Sequence, residues 1–111
     1  MITLHNQNVI VIVATSSKSE AEKIALNLLN EKLIGCANIL SPVTSVYYWS
    51  SKIEKSEEHL VLMKSRVDLF EKLTKKVKSL HSYDVPEILA LPIVKGSKDY
   101  LAWLNDYLRK P

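Results

Sequence analysis

Glycine is scarce, at two in 111 residues. A phosphate-cradling loop needs several glycines within one turn, so neither a G-x-x-x-x-G-K-[ST] nor a G-x-G-x-x-G loop is available. A single cysteine, Cys36, excludes an intramolecular disulfide, and a reducing setting is expected. No apolar run approaches the length of a membrane-spanning helix. The first ten residues lack a basic segment ahead of a long apolar stretch. No export signal or membrane partner is therefore expected, and the cytoplasm is the expected location. G-x-S-x-G and H-E-x-x-H are absent, so the expectation is a protein that is not an enzyme. Neither sign of charge dominates: 15 Lys and Arg against 12 Asp and Glu give a net charge of +3. The tightest basic cluster, Lys72, Lys75, Lys76 and Lys78, falls on a predicted amphipathic helix and reads as its solvated face. The K/R-G-F/Y-rich strand signature of RNA-binding modules is missing too, and nucleic acid is not an expected partner.

What remains is an ordinary globular composition, 47% hydrophobic and 24% charged. The length suits one domain, residues 1–111. Val9-Ile10-Val11-Ile12-Val13-Ala14 is a continuous β-branched run, as in a central strand covered on both faces. Ser17-Lys18-Ser19-Glu20 has the spacing of a capping box. Ala21, Ile24, Ala25, Leu28 and Leu29 then recur at helical spacing, which predicts a helix from Lys18 to Leu33 with Gly35 as its left-handed cap. Cys36 to Trp49 reads as a long extended segment that Pro42 must bend or bulge. Ser50-Ser51-Lys52 is a turn, and Ile53 to Lys64 is the returning strand of a long hairpin. Ser65-Arg66-Val67-Asp68 resembles a second cap, ahead of the stripe Val67, Phe70, Leu73, Val77 and Leu80, which predicts a helix from Arg66 to His81. Val85 to Val94 is extended, and Tyr100, Trp103, Leu104, Tyr107 and Leu108 define a short terminal helix.

The order β-α-β-β-α-β plus a terminal helix predicts an α+β, ferredoxin-like split βαβ fold with a long β-hairpin. Two helices cover one face of such a sheet. The other face carries apolar side chains that need a cover, and self-association is the simplest one.

Several stretches, in order, resemble one family. They are Cys36-Ala37-Asn38-Ile39, Thr44-Ser45-Val46-Tyr47-Tyr48-Trp49, Lys52-Ile53-Glu54, Glu58 with Leu60-Val61-Leu62-Met63-Lys64, His81 to Ile88, Ala90-Leu91-Pro92-Ile93 and Tyr100-Leu101-Ala102-Trp103-Leu104. This ordered set is similar to the CutA (divalent-cation tolerance) family from about Val9 to Arg109. The resemblance implies a ferredoxin-like homotrimer in which hairpins and sheet edges of neighbouring copies pack together. It implies a part in copper and other heavy-metal tolerance, with Cu(II) or another divalent cation as ligand and no catalytic reaction. A trimeric scaffold of the nitrogen-regulatory type, binding a small metabolite or protein in the intersubunit cleft, is the alternative it leaves open.

The chain departs from the family at Ser82, Ser51 and Val43, where Pro, Gly and Gly are usual. Ala14 and Leu80 stand where some members carry a Cys and the first of two His residues credited with copper binding. Of those ligands His81 alone matches, and it reads either as a metal ligand or as a helix C-terminal His bound to the last carbonyls. Glu58, Glu87 and Lys64 read either as cation or anion ligands or as an interfacial ion-pair network. Cys36 reads as a soft ligand or as a small buried hydrophobe. Cys36, Tyr48, Trp49, Lys64 and Tyr83, with Tyr47, are placed at an intersubunit cleft or interface.

Overall fold

The computed structural model describes residues 7–110; the remaining ends of the expected 1–111 domain lie outside the described residues. Strands β1 (Asn8–Thr15), β2 (Cys36–Trp49), β3 (Lys52–Arg66) and β4 (Ile88–Pro92) form one sheet in the order β2-β3-β1-β4. Every pairing is antiparallel. Helices α1 (Lys18–Asn30) and α2 (Phe70–Leu80) connect β1 to β2 and β3 to β4, and α3 (Lys98–Tyr107) follows β4. This is the expected split βαβ order with the expected terminal helix.

The pleat sorts the β-branched run of β1 into two sets. Val9, Val11 and Val13 are buried with Val61 and Met63 of β3. Ala21, Ile24, Ala25 and Leu28 of α1, and Leu73 and Val77 of α2, join the same core. Each of the Val, Leu, Ile and Met side chains among them contributes about 1.5–3 kcal/mol of transfer free energy. Register places Ile10 and Ile12 on the opposite face, beside Leu62 of β3 and Leu89 and Leu91 of β4, with Leu40 opposite Leu60 nearby. There Leu40, Leu89 and Leu91 remain about half exposed, at 47%, 54% and 50%. The uncovered apolar face inferred from the sequence is therefore present.

Helix α1 starts as expected at Ser17, whose Oγ accepts from Glu20 N at 3.1 Å. The Glu20 carboxylate does not return to Ser17 N as a capping box would. It accepts from Ser16 N at 3.3 Å and from Ser82 N at 2.7 Å. The helix ends at Asn30, earlier than expected, in a Schellman arrangement: Leu33 N donates to Leu28 O and Lys32 N to Leu29 O, each at 3.0 Å. The left-handed residue is Lys32, at φ 58°, and not Gly35. Gly35 is needed for a different reason, because a Cβ there would lie 2.5 Å from Leu104 Cδ1. It lets α3 seat Leu104 in the core.

The second cap also differs. Ser65 is buried on β3 and donates its hydroxyl to Leu33 O at 2.7 Å. Asp68 is taken by Arg66 Nε at 2.5 Å, so the chain enters α2 through a 3₁₀ turn, Val67–Leu69, without a side-chain cap. A side chain already bound elsewhere cannot cap. In the hairpin, pairing shifts between Leu40↔Leu60 and Val43↔Glu58, which leaves one extra residue on β2 around Pro42. Ser50 and Ser51 close the tip at φ 50° and 64°, the positive values that a two-residue type I′ turn requires.

Candidate functional site

Past the bulge, the hairpin projects beside the loop that follows α2. Between them lies a cleft of about 520 Å³. The hairpin supplies Ser45, Val46, Tyr47, Trp49 and Glu58; the loop supplies Tyr83, Asp84, Val85 and Glu87; Ala14 of β1 closes the inner end.

Four hydrogen bonds fix the loop. His81 Nε2 donates to Ala14 O at 2.7 Å, and His81 Nδ1 accepts from Tyr83 N at 3.0 Å. A carbonyl only accepts and a backbone amide only donates, so the imidazole is the neutral Nε2–H tautomer. Ser82 N donates to Glu20, tying the loop to the start of α1. Tyr83 Oη donates to Glu58 Oε2 at 2.9 Å, tying it to the hairpin. The His81 and Tyr83 rings pack 4.7 Å apart.

Electrostatics follow this wiring. Burial, then the hydrogen bond to Glu58 and its charge, push the Tyr83 phenol up to about 12. It remains a donor at neutral pH. Burial would raise the Glu20 carboxyl, but the bonds from Ser82 and Ser16 outweigh it and hold the group below the usual carboxylate range. Glu58 is 8% exposed. Its second carboxylate oxygen accepts no hydrogen bond among the described residues and is open to the cleft.

The structure therefore brings Glu58, Glu87, Tyr83 and Trp49 to one cleft, joined by Asp84. His81 stands behind them and orients Tyr83. Tyr48 opposes Ile53 near the hairpin tip and is 76% exposed. Cys36 and Lys64 lie elsewhere, paired on the uncovered face with Lys64 Nζ 3.9 Å from Cys36 Sγ and bonded to Asn38 Oδ1. Lys64 is six residues along β3 from Glu58, about 20 Å of strand. Burial, then the neighbouring Cys36, raise the Tyr100 phenol at that end. The sequence reading missed the Glu20–Ser82 tether, because two residues 62 apart carry no local signal of contact.

A thiolate–imidazole copper site does not assemble within one chain. Cys36 is remote from the cleft, and both His81 nitrogens are engaged. Among the described residues no three His, Cys, Asp or Glu side chains converge as a metal cage. The cleft instead offers carboxylate oxygens, which suit harder or borderline cations, with positions left for water or a neighbouring chain.

An antiparallel split βαβ domain with a projecting hairpin, a bare apolar sheet face and an acidic cleft defines a protein of the ferredoxin-like α+β class. Comparison with known proteins narrows that class. A family profile described as CutA1 divalent ion tolerance protein matches residues 9–107, and the chain belongs to this family. It is 41% identical over 97 residues to the divalent-cation tolerance protein CutA of Thermus thermophilus, covering 87% of this chain and 94% of that one. It is 39% identical over 103 residues to the chloroplastic protein CutA 1 of Oryza sativa, covering 93% of this chain. The chain spans 58% of that plant relative's length. The crystal structure of CutA1 from Oryza sativa superposes with a TM-score of 0.92 at 37% identity, over 96% of this chain and 98% of that one.

Proposed function

We propose that this chain serves divalent-cation tolerance as a homotrimer, with a divalent cation held in the cleft at Glu58. The observation that carries the cation site is the Glu58 carboxylate: 92% buried by its 8% exposure, held on one oxygen by Tyr83 and unpartnered on the other among the described residues. A carboxylate largely withdrawn from solvent, with one oxygen held and the other open to the cleft, presents a charged acceptor to a cation or donor there. The remaining ligands are water or groups of a neighbouring copy. His81 serves as the residue that holds the loop, and it could ligate only by releasing Tyr83 N.

The self-association rests on the uncovered face around Ile10, Ile12, Leu62, Leu89 and Leu91. Contiguous apolar surface of that kind is uncommon on monomers. The role proposed is binding, and the single thiol supports a reducing compartment.

Titration calorimetry with Cu(II), Zn(II) and Cd(II) tests the site. Saturable heat is expected for at least one ion in the wild type, and its loss in Glu58→Gln. His81→Ala, which keeps the carboxylates, should weaken binding without abolishing it. No heat from any of the three ions would refute the reading.

A further inference from the structure

The lysines of α2 read in the sequence as a solvated face, and the fold adds other cations to them. On α2, Lys72 neighbours both Lys75 and Lys76, three and four residues further on. Lys76 reaches across to the end of α1, where its Nζ lies 2.9 Å from Glu31 Oε2. The C-terminal segment arrives at the same place. Arg109 N donates to Lys32 O at 2.7 Å. The Arg109 guanidinium donates to Glu31 O at 3.1 Å and lies 3.7 Å from Glu31 Oε1. Lys110 follows directly. Lys32, Lys72, Lys75 and Lys110 are exposed and form no salt bridge among the described residues. Three stretches far apart in the chain thus bring six cations to one corner, against the carboxylates of Glu31 and of Glu71 at the start of α2. Helices α1 and α2 cover the sheet face opposite to Ile10, Ile12, Leu89 and Leu91. Self-association through that bare face leaves the basic corner pointing outward, once per copy.

We propose that this corner docks an acidic polypeptide segment, a run of Asp and Glu side chains on a partner protein. Glu31 shows the chemistry, since a carboxylate is already held there between an ammonium and a guanidinium. Carboxylates of a partner extend that arrangement onto Lys32, Lys72, Lys75 and Lys110. Five of the six cations are lysines, compact point charges on flexible stems. They suit carboxylates spaced irregularly along a chain better than planar, bidentate recognition of one group. A single nucleic-acid strand matches less well, because it stacks its bases on aromatic side chains and none builds this corner. A bilayer also matches less well, because no large apolar side chain stands among these cations to enter it. The inference makes no use of the cleft at Glu58.

The probe is a fluorescein-labelled oligo-aspartate peptide, followed by anisotropy against the assembled wild-type protein. An uncharged Gly-Ser peptide of the same length is the control. Saturable binding of the aspartate peptide is expected at about 0.01 M salt. It should weaken at about 0.15 M, as the screening length falls from about 30 Å to about 8 Å. At the higher salt, Lys72→Gln combined with Lys75→Gln should weaken the peptide about two- to thirtyfold, the range of two exposed ion pairs. Lys52→Gln combined with Lys55→Gln removes the same charge at the hairpin tip and should leave the affinity unchanged. All four lysines are exposed, and an unchanged melting temperature and light-scattering mass confirm that both double variants fold and assemble. No saturable binding of the aspartate peptide, equal binding of the Gly-Ser peptide, or equal losses in the two double variants would overturn the inference. Tighter binding of duplex DNA or phosphatidylserine vesicles than of the peptide, abolished by the α2 double variant, would overturn it as well.

Discussion

Replacing Tyr83 with Phe removes one oxygen and leaves the ring. The aromatic contact with His81, at 4.7 Å, and the bond from Tyr83 N to His81 Nδ1 both survive the change. What disappears is the donor to Glu58 Oε2 at 2.9 Å, from a carboxylate that is only 8% exposed. A hydrogen bond to a charged group contributes about 1.5–3 kcal/mol net, and the stranded partner retains its desolvation cost. The expected loss is therefore about 2 kcal/mol. For a domain of this size that corresponds to a fall in melting temperature of about 8–16 °C. The pH dependence carries a second signature. The phenol is raised in the folded protein from 10 to about 12, so its contribution to stability is complete below pH 10 and is lost as pH rises toward 12. Thermal denaturation of wild type and Tyr83→Phe, followed by circular dichroism from neutral pH to pH 12, should show two curves that converge through that window. A melting temperature unchanged at neutral pH, or a constant gap up to pH 12, would refute the Tyr83–Glu58 link as a structural element.

Other consequences are equally open to measurement. Gly35→Ala forces a methyl to 2.5 Å from Leu104 Cδ1 in the core, and should cost about 1–3 kcal/mol in denaturant unfolding; a neutral effect would show that α3 can shift freely. Ser51→Gly relieves a non-glycine residue at φ 64° in the hairpin tip and should stabilise by about 0.5–1 kcal/mol, with a loss of stability contradicting the turn geometry. Light scattering should give three times the 12.6 kDa chain mass. Leu89→Glu, on the bare face, should shift that mass downward, and a wild-type monomer would undo the interface.

Sequence legibility followed the range of the interaction. The β-branched run of β1, the Ser17 cap and the bulge at Pro42 act within a few residues, and each was readable from local pattern. Gly35 was readable as necessary but for the wrong reason, because its constraint is a side chain 69 positions away. Ser65 had the composition of a cap, yet the strand claims it first and sends its hydroxyl to Leu33 O. At the site, the identities of Glu58, Tyr83, Glu87 and Trp49 were visible through family resemblance. Their convergence was not, since it depends on the hairpin register and on the His81 and Glu20 tethers that fold the loop toward it. Cys36 and Lys64 were expected at an intersubunit cleft or interface; within one chain, register sets them about 20 Å of strand from Glu58.

The central claim is that the vacant oxygen of Glu58, and not His81 or Cys36, is where a divalent cation enters this protein. Anomalous diffraction from crystals grown with Zn(II) addresses it directly. The account predicts a peak in the cleft about 2.0–2.2 Å from a Glu58 carboxylate oxygen, with the His81–Ala14 bond intact. A peak on His81 or Cys36 with nothing beside Glu58 would contradict it.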